Sequence, residues 1–290
     1  MTGARGAVRM DGVRFADEIV QRLRDEIAAA GNPRVTLGTV IVTAEHASLS
    51  NLRRKHVRAR EAGMTLRDVR LPANARQRDL AAAVSELAAD PDVDGIFVQV
   101  PLPASLDLAA VVDLIPPGKD VDAATAQSLG NLMRGRAGHV PCTPLAILRL
   151  LHRYGVTIAG RRTIIVGRTP EIGLPLAFLF ARAGAAASIM LADARAPDIV
   201  PLCRQADIVV SAVGEPHTIG RNHIKPGAAV VDAGVSRTEN GIVGDVDFAA
   251  AETVAAAIVP MPGGAGPATI ACLLENTWSA ARAKRATARA

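Results

Sequence analysis

Apolar stretches of strand length alternate with amphipathic stretches of helix length along most of the chain. Residues 35–42 predict a strand, and residues 48–62 a helix closed by Gly63. A second strand follows at 66–71, a helix at 76–88 and a third strand at 95–100. The third strand is apolar almost without interruption, which predicts burial on both faces. The stretch 114–142 is rich in Pro and Gly, breaks the alternation and reads as an ordered connection. A helix at 145–154 opens a second series, with strands at 163–166, 187–191, 208–213 and 228–232. A last helix at 268–283 follows the loop 260–267. The pattern predicts an α/β protein of two domains with parallel sheets. The boundary is expected near 142. The last helix is expected to return to the first domain, because the second sheet is complete without it.

Composition narrows this picture. The chain has 290 residues, enough for two domains, and is 49% apolar but only 2% aromatic. Aliphatic packing must fill the core, and stacking platforms for single-stranded nucleic acid are missing. The net charge of +5 suits an anionic small ligand as well as a nucleic acid; part of it lies in Arg282, Lys284, Arg285 and Arg289, expected to be a frayed end. No stretch is long and apolar enough for a membrane span and no signal peptide opens the chain, so a cytoplasmic location is expected. Cys142, Cys203 and Cys272 lack metal-site spacing and read as reduced thiols.

Of 33 cationic residues only Lys55, Lys119, Lys225 and Lys284 are lysines. Lys55 directly follows Arg53 and Arg54, which suggests a need for an amine that can lose its proton. On a helix, Asn51 and Lys55 share a face, with Ser48 one turn earlier. That stripe suits ligand binding and proton transfer; the alternative is a solvated helix face. Gln99 ends a buried strand ahead of Val100 and Pro101, where parallel sheets bind ligands, or else it ties down the next loop. Asp120 and Asp122 lie in a Gly/Pro-bounded loop and either cap a helix, bind a ligand NH group or pair with Lys119. A metal has little support there. The loop from Gly167 through Arg168, Thr169 and Ile172 to Gly173 joins a strand to a helix and can present N–H groups to an anion. It lacks the generic dinucleotide spacing. Ala212, Val213 and Gly214, and Asp232, Gly234 and Val235, close two further strands of that domain. Pro262, Gly263 and Gly264 belong to a loop that either binds an anion or links two elements.

Taken in order, these stretches resemble the bifunctional methylenetetrahydrofolate dehydrogenase/methenyltetrahydrofolate cyclohydrolase family. The carriers are Ala47-Ser48 with Lys55, residues 94–103, Lys119-Asp-Val-Asp122, Pro141-Cys-Thr-Pro144, Gly167-Arg-Thr with Gly173, residues 206–214, Val243-Gly-Asp-Val-Asp247 and residues 260–267. The resemblance spans roughly residues 10–280. It implies a folate-binding catalytic domain of residues 1–142 and 268–290, a Rossmann-like NAD(P)-binding domain of residues 143–267, and a cleft between them. It implies oxidation of 5,10-methylenetetrahydrofolate with NADP, then hydrolysis of the methenyl product to 10-formyltetrahydrofolate. Lys55 matches the family's key catalytic group, Gln99 the amide that tunes it, and Asp122 the acid that binds the pterin. Ser48, Asn51, Val100, Pro101 and residues 262–264 match substrate-binding positions. Gly167, Arg168, Thr169, Ile172, Gly173, Asp193, Ala212, Val213, Gly214, Asp232, Gly234 and Val235 fall at the cofactor side. Homodimers are the usual family state, and the composition and motifs of this chain lead to no expected metal, nucleic acid or membrane partner.

The chain departs from that pattern at four places. Asn51 stands where the family usually has Tyr. Asp122 is followed by Ala123 in place of Gly, a residue not expected to take a positive φ easily. Glu171 brings a carboxylate into the glycine loop. Ala192 and Asp193 stand where a Ser and a basic residue usually meet the 2′-phosphate, which favours NAD, whereas Arg168 and Arg195 suit NADP. Retained activity is the reading favoured by Lys55, Gln99 and Asp122. The alternatives are a paralogue with cyclohydrolase activity alone and a non-catalytic folate- or nucleotide-binding protein.

Overall fold

The computed structural model of the chain describes residues 6–42, 46–183, 186–239 and 241–288, with only the backbone described over 46–51. The elements begin with β1 (Val8–Arg9), α1 (Gly12–Ala29), β2 (Thr36–Val42), α2 (His46–Glu61) and β3 (Thr65–Leu71). Next come α3 (Gln77–Ala89), β4 (Gly95–Val98), α4 (Leu108–Val112), α5 (Ala126–Arg134) and α6 (Cys142–Arg153). Then follow β5 (Arg162–Val166), α7 (Gly173–Ala183), β6 (Ser188–Ala192), α8 (Ile199–Gln205), β7 (Ile208–Ser211) and β8 (Ala229–Asp232). The chain closes with β9 (Ser236–Thr238), β10 (Gly241–Val243), α9 (Phe248–Glu252), β11 (Ala257–Val259) and α10 (Ala265–Thr287).

Two compact units result, one of Asp17–Cys142 with Ile270–Ala290, the other of Met1–Ala16 with Thr143–Thr269. They are called here the Lys55 unit and the Gly167 unit. The chain start was expected with the folate-binding part. Instead β1 pairs in parallel with β11, Val8 opposite Ala257, so strand pairing draws it into the Gly167 unit.

The Lys55 unit carries a three-stranded sheet in the order β3-β2-β4, parallel throughout. Every residue of β2 is buried, as expected of a central strand covered on both faces. α3 packs Leu80, Ala83, Val84 and Leu87 beneath it. Burying each such Leu is worth about 2 kcal/mol, so packing holds this helix more than propensity does. α1 was not among the expected elements. Its Ala16, Ile19, Val20, Leu23 and Ile27 recur three and four apart and are all buried, a helical stripe. The stretch 114–142, expected as an ordered connection, contains the helix α5. Thr125 Oγ1 accepts from the Ser128 N–H at 3.0 Å, and Gly135 ends the helix at φ +69°.

The expected frayed end is also corrected. α10 runs on to Thr287, and two of the four cations, Lys284 and Arg285, are engaged, while Arg289 lies outside the described residues. Lys284 Nζ donates to Asp94 Oδ1 at 2.9 Å, and Arg285 reaches the Ala281 and Arg34 carbonyls. Trp278 Nε1 donates to Glu26 Oε2 at 2.9 Å.

The Gly167 unit holds a six-stranded parallel sheet in the order β1-β11-β8-β7-β5-β6, with β9 and β10 as a separate antiparallel pair. From β5 the chain goes first to β6 on one side and then to β7 on the other. The switch point therefore falls between β5 and β7, where ligands of such sheets bind beyond the strand carboxyl ends. Among the described residues no helix is long and apolar enough to cross a membrane.

Candidate active site

In the Lys55 unit, three chain segments bring polar groups together. α2 carries Lys55, which is 6% exposed. Its amine donates to Gln99 Oε1 at 2.6 Å and lies 3.6 Å from the centroid of the Phe97 ring. Burial lowers the Lys55 pKa from 10.5 to about 8, against the pull of Asp122, Cys142 and Asp68. Gln99 directly follows β4, and its backbone N–H continues the ladder to the Val40 carbonyl at 2.9 Å. Its side-chain amide donates to the Val100 carbonyl, which leaves Oε1 turned to the amine. Val100 is 40% exposed, and the Val100–Pro101 peptide is cis.

The two carboxylates of residues 119–122 have separate tasks. Asp120 is fully buried and accepts from the backbone N–H groups of Ala124 and Thr125 and from Ser128 Oγ, at 3.0, 3.1 and 2.6 Å. It builds the turn into α5. Asp122, only partly buried by its surface, faces Lys55 and the thiol and backbone N–H of Cys142. Loss of solvation pushes its pKa up to about 6, against the Cys142 hydrogen bonds and the Lys55 charge. Lys119 pairs with neither acid: it donates to the Ala88 and Asp90 carbonyls at 2.8 and 2.6 Å, closing the end of α3. Ala123 does take the left-handed backbone, at φ +53°, with its side chain fully buried. An L-residue in that region costs about 1–2 kcal/mol, so the surrounding turn imposes it.

Two residues outside the expected site, Asp68 and Cys142, also face the amine. Asp68 accepts from Thr39 Oγ1 at 2.5 Å and meets His56 Nε2 at 2.8 Å. A polar residue inside β3 was the available signal. The signal for Cys142 was the Pro-Cys-Thr-Pro run. The side chains of Ser48 and Asn51 lie outside the described residues. Among those described, no cluster of His, Cys, Asp and Glu suits a metal ion.

In the Gly167 unit, the β5–α7 loop is a bare-backbone cradle. Gly167 has φ +115° and a Cβ on it would collide with the Ala212 carbonyl; one on Gly173 would collide with the Gly167 carbonyl. Close backbone approach at the switch point needs glycine at both places. Thr169 and Glu171 are exposed, and the Ile172 carbonyl accepts from the Leu176 N–H at 2.9 Å. The cradle therefore fits a dinucleotide pyrophosphate at a helix start.

Neighbouring strand ends are tied by two acids. Asp245 accepts from Ser211 Oγ and the Val213 and Gly214 N–H groups at 2.9, 2.7 and 3.0 Å. Asp232 accepts from the N–H groups of Gly234, Asp245 and Val246 at 3.1, 3.0 and 3.0 Å. Burial nevertheless raises the Asp232 pKa to about 6. Residues 212–214 thus offer shape and space rather than those two donors, while Val235 is 56% exposed.

At the end of β6, Asp193 is clamped by two cations. Arg168 Nη2 donates at 2.7 Å, the Arg195 N–H at 3.0 Å, and Arg195 Nε lies 3.5 Å away. The Arg195 N–H, then Arg168, holds Asp193 down at about 2. Ala192 is the last, buried residue of β6. Farther along, the Gly263 carbonyl accepts from the Gly12 N–H at 2.9 Å, and the Met261–Pro262 peptide is cis.

Residues 10–122 match the family described as tetrahydrofolate dehydrogenase/cyclohydrolase, catalytic domain, and residues 141–285 match its NAD(P)-binding domain. The chain is 43% identical over 300 residues to the bifunctional protein FolD of Rhodopirellula baltica, covering 97% of this chain and 99% of that one. Among solved structures it is similar to the FolD of Trypanosoma brucei, complexed with NADP and an inhibitor. There the TM-score is 0.91 and the identity 36%, over 99% of this chain and 100% of the other. It is also similar to the Campylobacter jejuni enzyme, with a TM-score of 0.90 and 32% identity over 96% and 99% of the two chains. The chain belongs to the tetrahydrofolate dehydrogenase/cyclohydrolase family.

Proposed function

We propose that this protein oxidises 5,10-methylenetetrahydrofolate to the methenyl compound and hydrolyses that product to 10-formyltetrahydrofolate. The observation that carries the reading is a buried amine, Lys55, bonded to Gln99 and facing Asp122. An amine titrating near 8 has an unprotonated fraction near neutrality. In the hydrolysis, Lys55 takes a proton from the water that attacks the methenyl carbon and returns a proton to N5 as the bond between N5 and that carbon breaks, which leaves the formyl group on N10. Gln99 Oε1 accepts from the amine and orients its lone pair. Asp122, once ionised, accepts from the N–H groups of the pterin ring. Ser48, Asn51, Val100 and Pro101 border the same place in the sequence and belong to the substrate site in this reading.

For the oxidation, residues 167–173 would hold the pyrophosphate of NADP, which supplies the hydride acceptor. Arg168 and Arg195 favour a 2′-phosphate, and NADP is the cofactor we assign. Asp193 between them supports the second choice, NAD. The partner proposed for assembly is a second copy: β6 is an outer strand of its sheet with Met190 43% exposed. Sedimentation at several concentrations checks this, and a monomer throughout counts against it.

Two absorbance assays test the function. Methylenetetrahydrofolate with NADP or NAD should yield reduced cofactor, and methenyltetrahydrofolate should decay without cofactor. Decay alone identifies a cyclohydrolase that has lost hydride transfer. Neither signal identifies a binding protein and ends the proposal.

A further inference from the structure

Asn276 lies on α10, 155 positions from Val121, yet points its amide at the segment that carries Asp122. It is 8% exposed. Its Nδ2 donates to the Val121 carbonyl at 2.8 Å and the Val140 carbonyl at 3.1 Å, and meets Cys142 Sγ at 3.6 Å. The Val121 carbonyl belongs to the peptide unit that leads into Asp122. Cys142 Sγ reaches the same carbonyl at 3.3 Å, and Cys142 is also a hydrogen-bond partner of the Asp122 side chain. One amide thus grips both the peptide before Asp122 and the residue beside its carboxylate.

We propose that Asn276 is a positioning residue for the folate reaction, holding Asp122 in register with Lys55 through the Val121 carbonyl and Cys142. The proposal rests on the reading of Asp122 as the pterin-binding acid. Its physical basis is the acceptor set. Two carbonyls and a sulfur converge on one NH₂ group, and no apolar side chain can replace those donors. Without them the Val140 carbonyl loses this donor and the Val121 carbonyl keeps only the weaker Cys142 thiol, so the peptide before Asp122 is held less firmly. The turn has reason to do so, because Ala123 is held at φ +53°. The groups facing Asp122 are Lys55 from α2, Cys142 from α6 and Asp120 from its own loop.

The test compares full-length wild type with Asn276→Leu, which keeps the branched shape and removes the donors, and Asn276→Ser, which is smaller. Leu274→Ala, at a fully buried position of the same helix, is the control for destabilisation alone. Steady-state dehydrogenase rates are measured against methylenetetrahydrofolate from pH 5 to 9, with thermal melting and NADP binding. Both Asn276 variants should raise KM for the folate about tenfold, more than they lower kcat, and move the acid limb of kcat/KM upward. NADP affinity should stay within twofold. Leu274→Ala should melt earlier with KM and acid limb unmoved. If Asn276→Leu does not fold, Asn276→Ser carries the comparison. The proposal is overturned if the folded variant keeps KM and acid limb within twofold of wild type, or loses only its active fraction. A wild type without dehydrogenase activity instead defeats the functional reading beneath it.

Discussion

The Lys55 amine stands 2.6 Å from Gln99 Oε1, with the Phe97 ring beneath it. An amide can stabilise an amine in either protonation state without adding a charge, whereas a carboxylate in the same place would fix the ammonium form. The pairing therefore leaves the proton mobile.

Removing the amine should remove hydrolysis. Lys55→Met should lower cyclohydrolase turnover by on the order of 10²-fold or more, the range of positioned general bases. Methenyltetrahydrofolate decay measures it, and unchanged turnover would reject the role. The fold should persist, because Met keeps an unbranched side chain of similar length and buries no charge.

The same variant should show a distinct stability profile with pH. The folded pKa of Lys55, about 8, lies below the unfolded 10.5. Between those values the unfolded chain binds the additional proton, so this residue's contribution to stability rises with pH. The penalty is complete below the folded value and absent above the unfolded one, and amounts to about 3 kcal/mol. Melting curves of Lys55→Met and wild type should differ most near pH 7 and converge toward pH 10.5. A constant difference would show that Lys55 is not desolvated.

Asn51→Tyr should lower the folate KM roughly threefold to tenfold, since an aromatic contact is worth about 0.5–1.5 kcal/mol. Steady-state kinetics decide this, and an equal or higher KM would show that Asn51 is not what sets affinity.

Asp193→Ser should raise the NADP/NAD ratio of kcat/KM, by about threefold to tenfold for removal of one exposed charge beside a phosphate. It frees Arg168 and Arg195 from their shared partner. A ratio that does not move would place Asp193 outside cofactor selection.

Gly173→Ala should abolish the cradle more than it alters the sheet, because its Cβ would strike the Gly167 carbonyl. NADP affinity should fall at least tenfold while cyclohydrolase activity remains; equal loss of both would indicate general unfolding.

The alternation of strand and helix, the parallel sheets and the positions of Lys55, Gln99 and the glycine loop were legible in the chain, because periodicity and local turn chemistry act over a few residues. The short pieces were harder: β1 has two residues, and its membership depends wholly on pairing with β11. Asp120 and Asp122 look alike in sequence, and only the packing of α5 and α6 gives one to a turn and sets the other beside Lys55 and Cys142. Pairing with Lys119 was one of three readings the sequence allowed for those acids, and the carbonyls at the end of α3 take that amine instead. The burial that lowers Lys55, the clamp on Asp193 and the reach of Asn276 across 155 positions are likewise tertiary. Solvent exclusion and long-range hydrogen bonds depend on what the folded chain places alongside a residue, and neighbours in sequence carry no record of it.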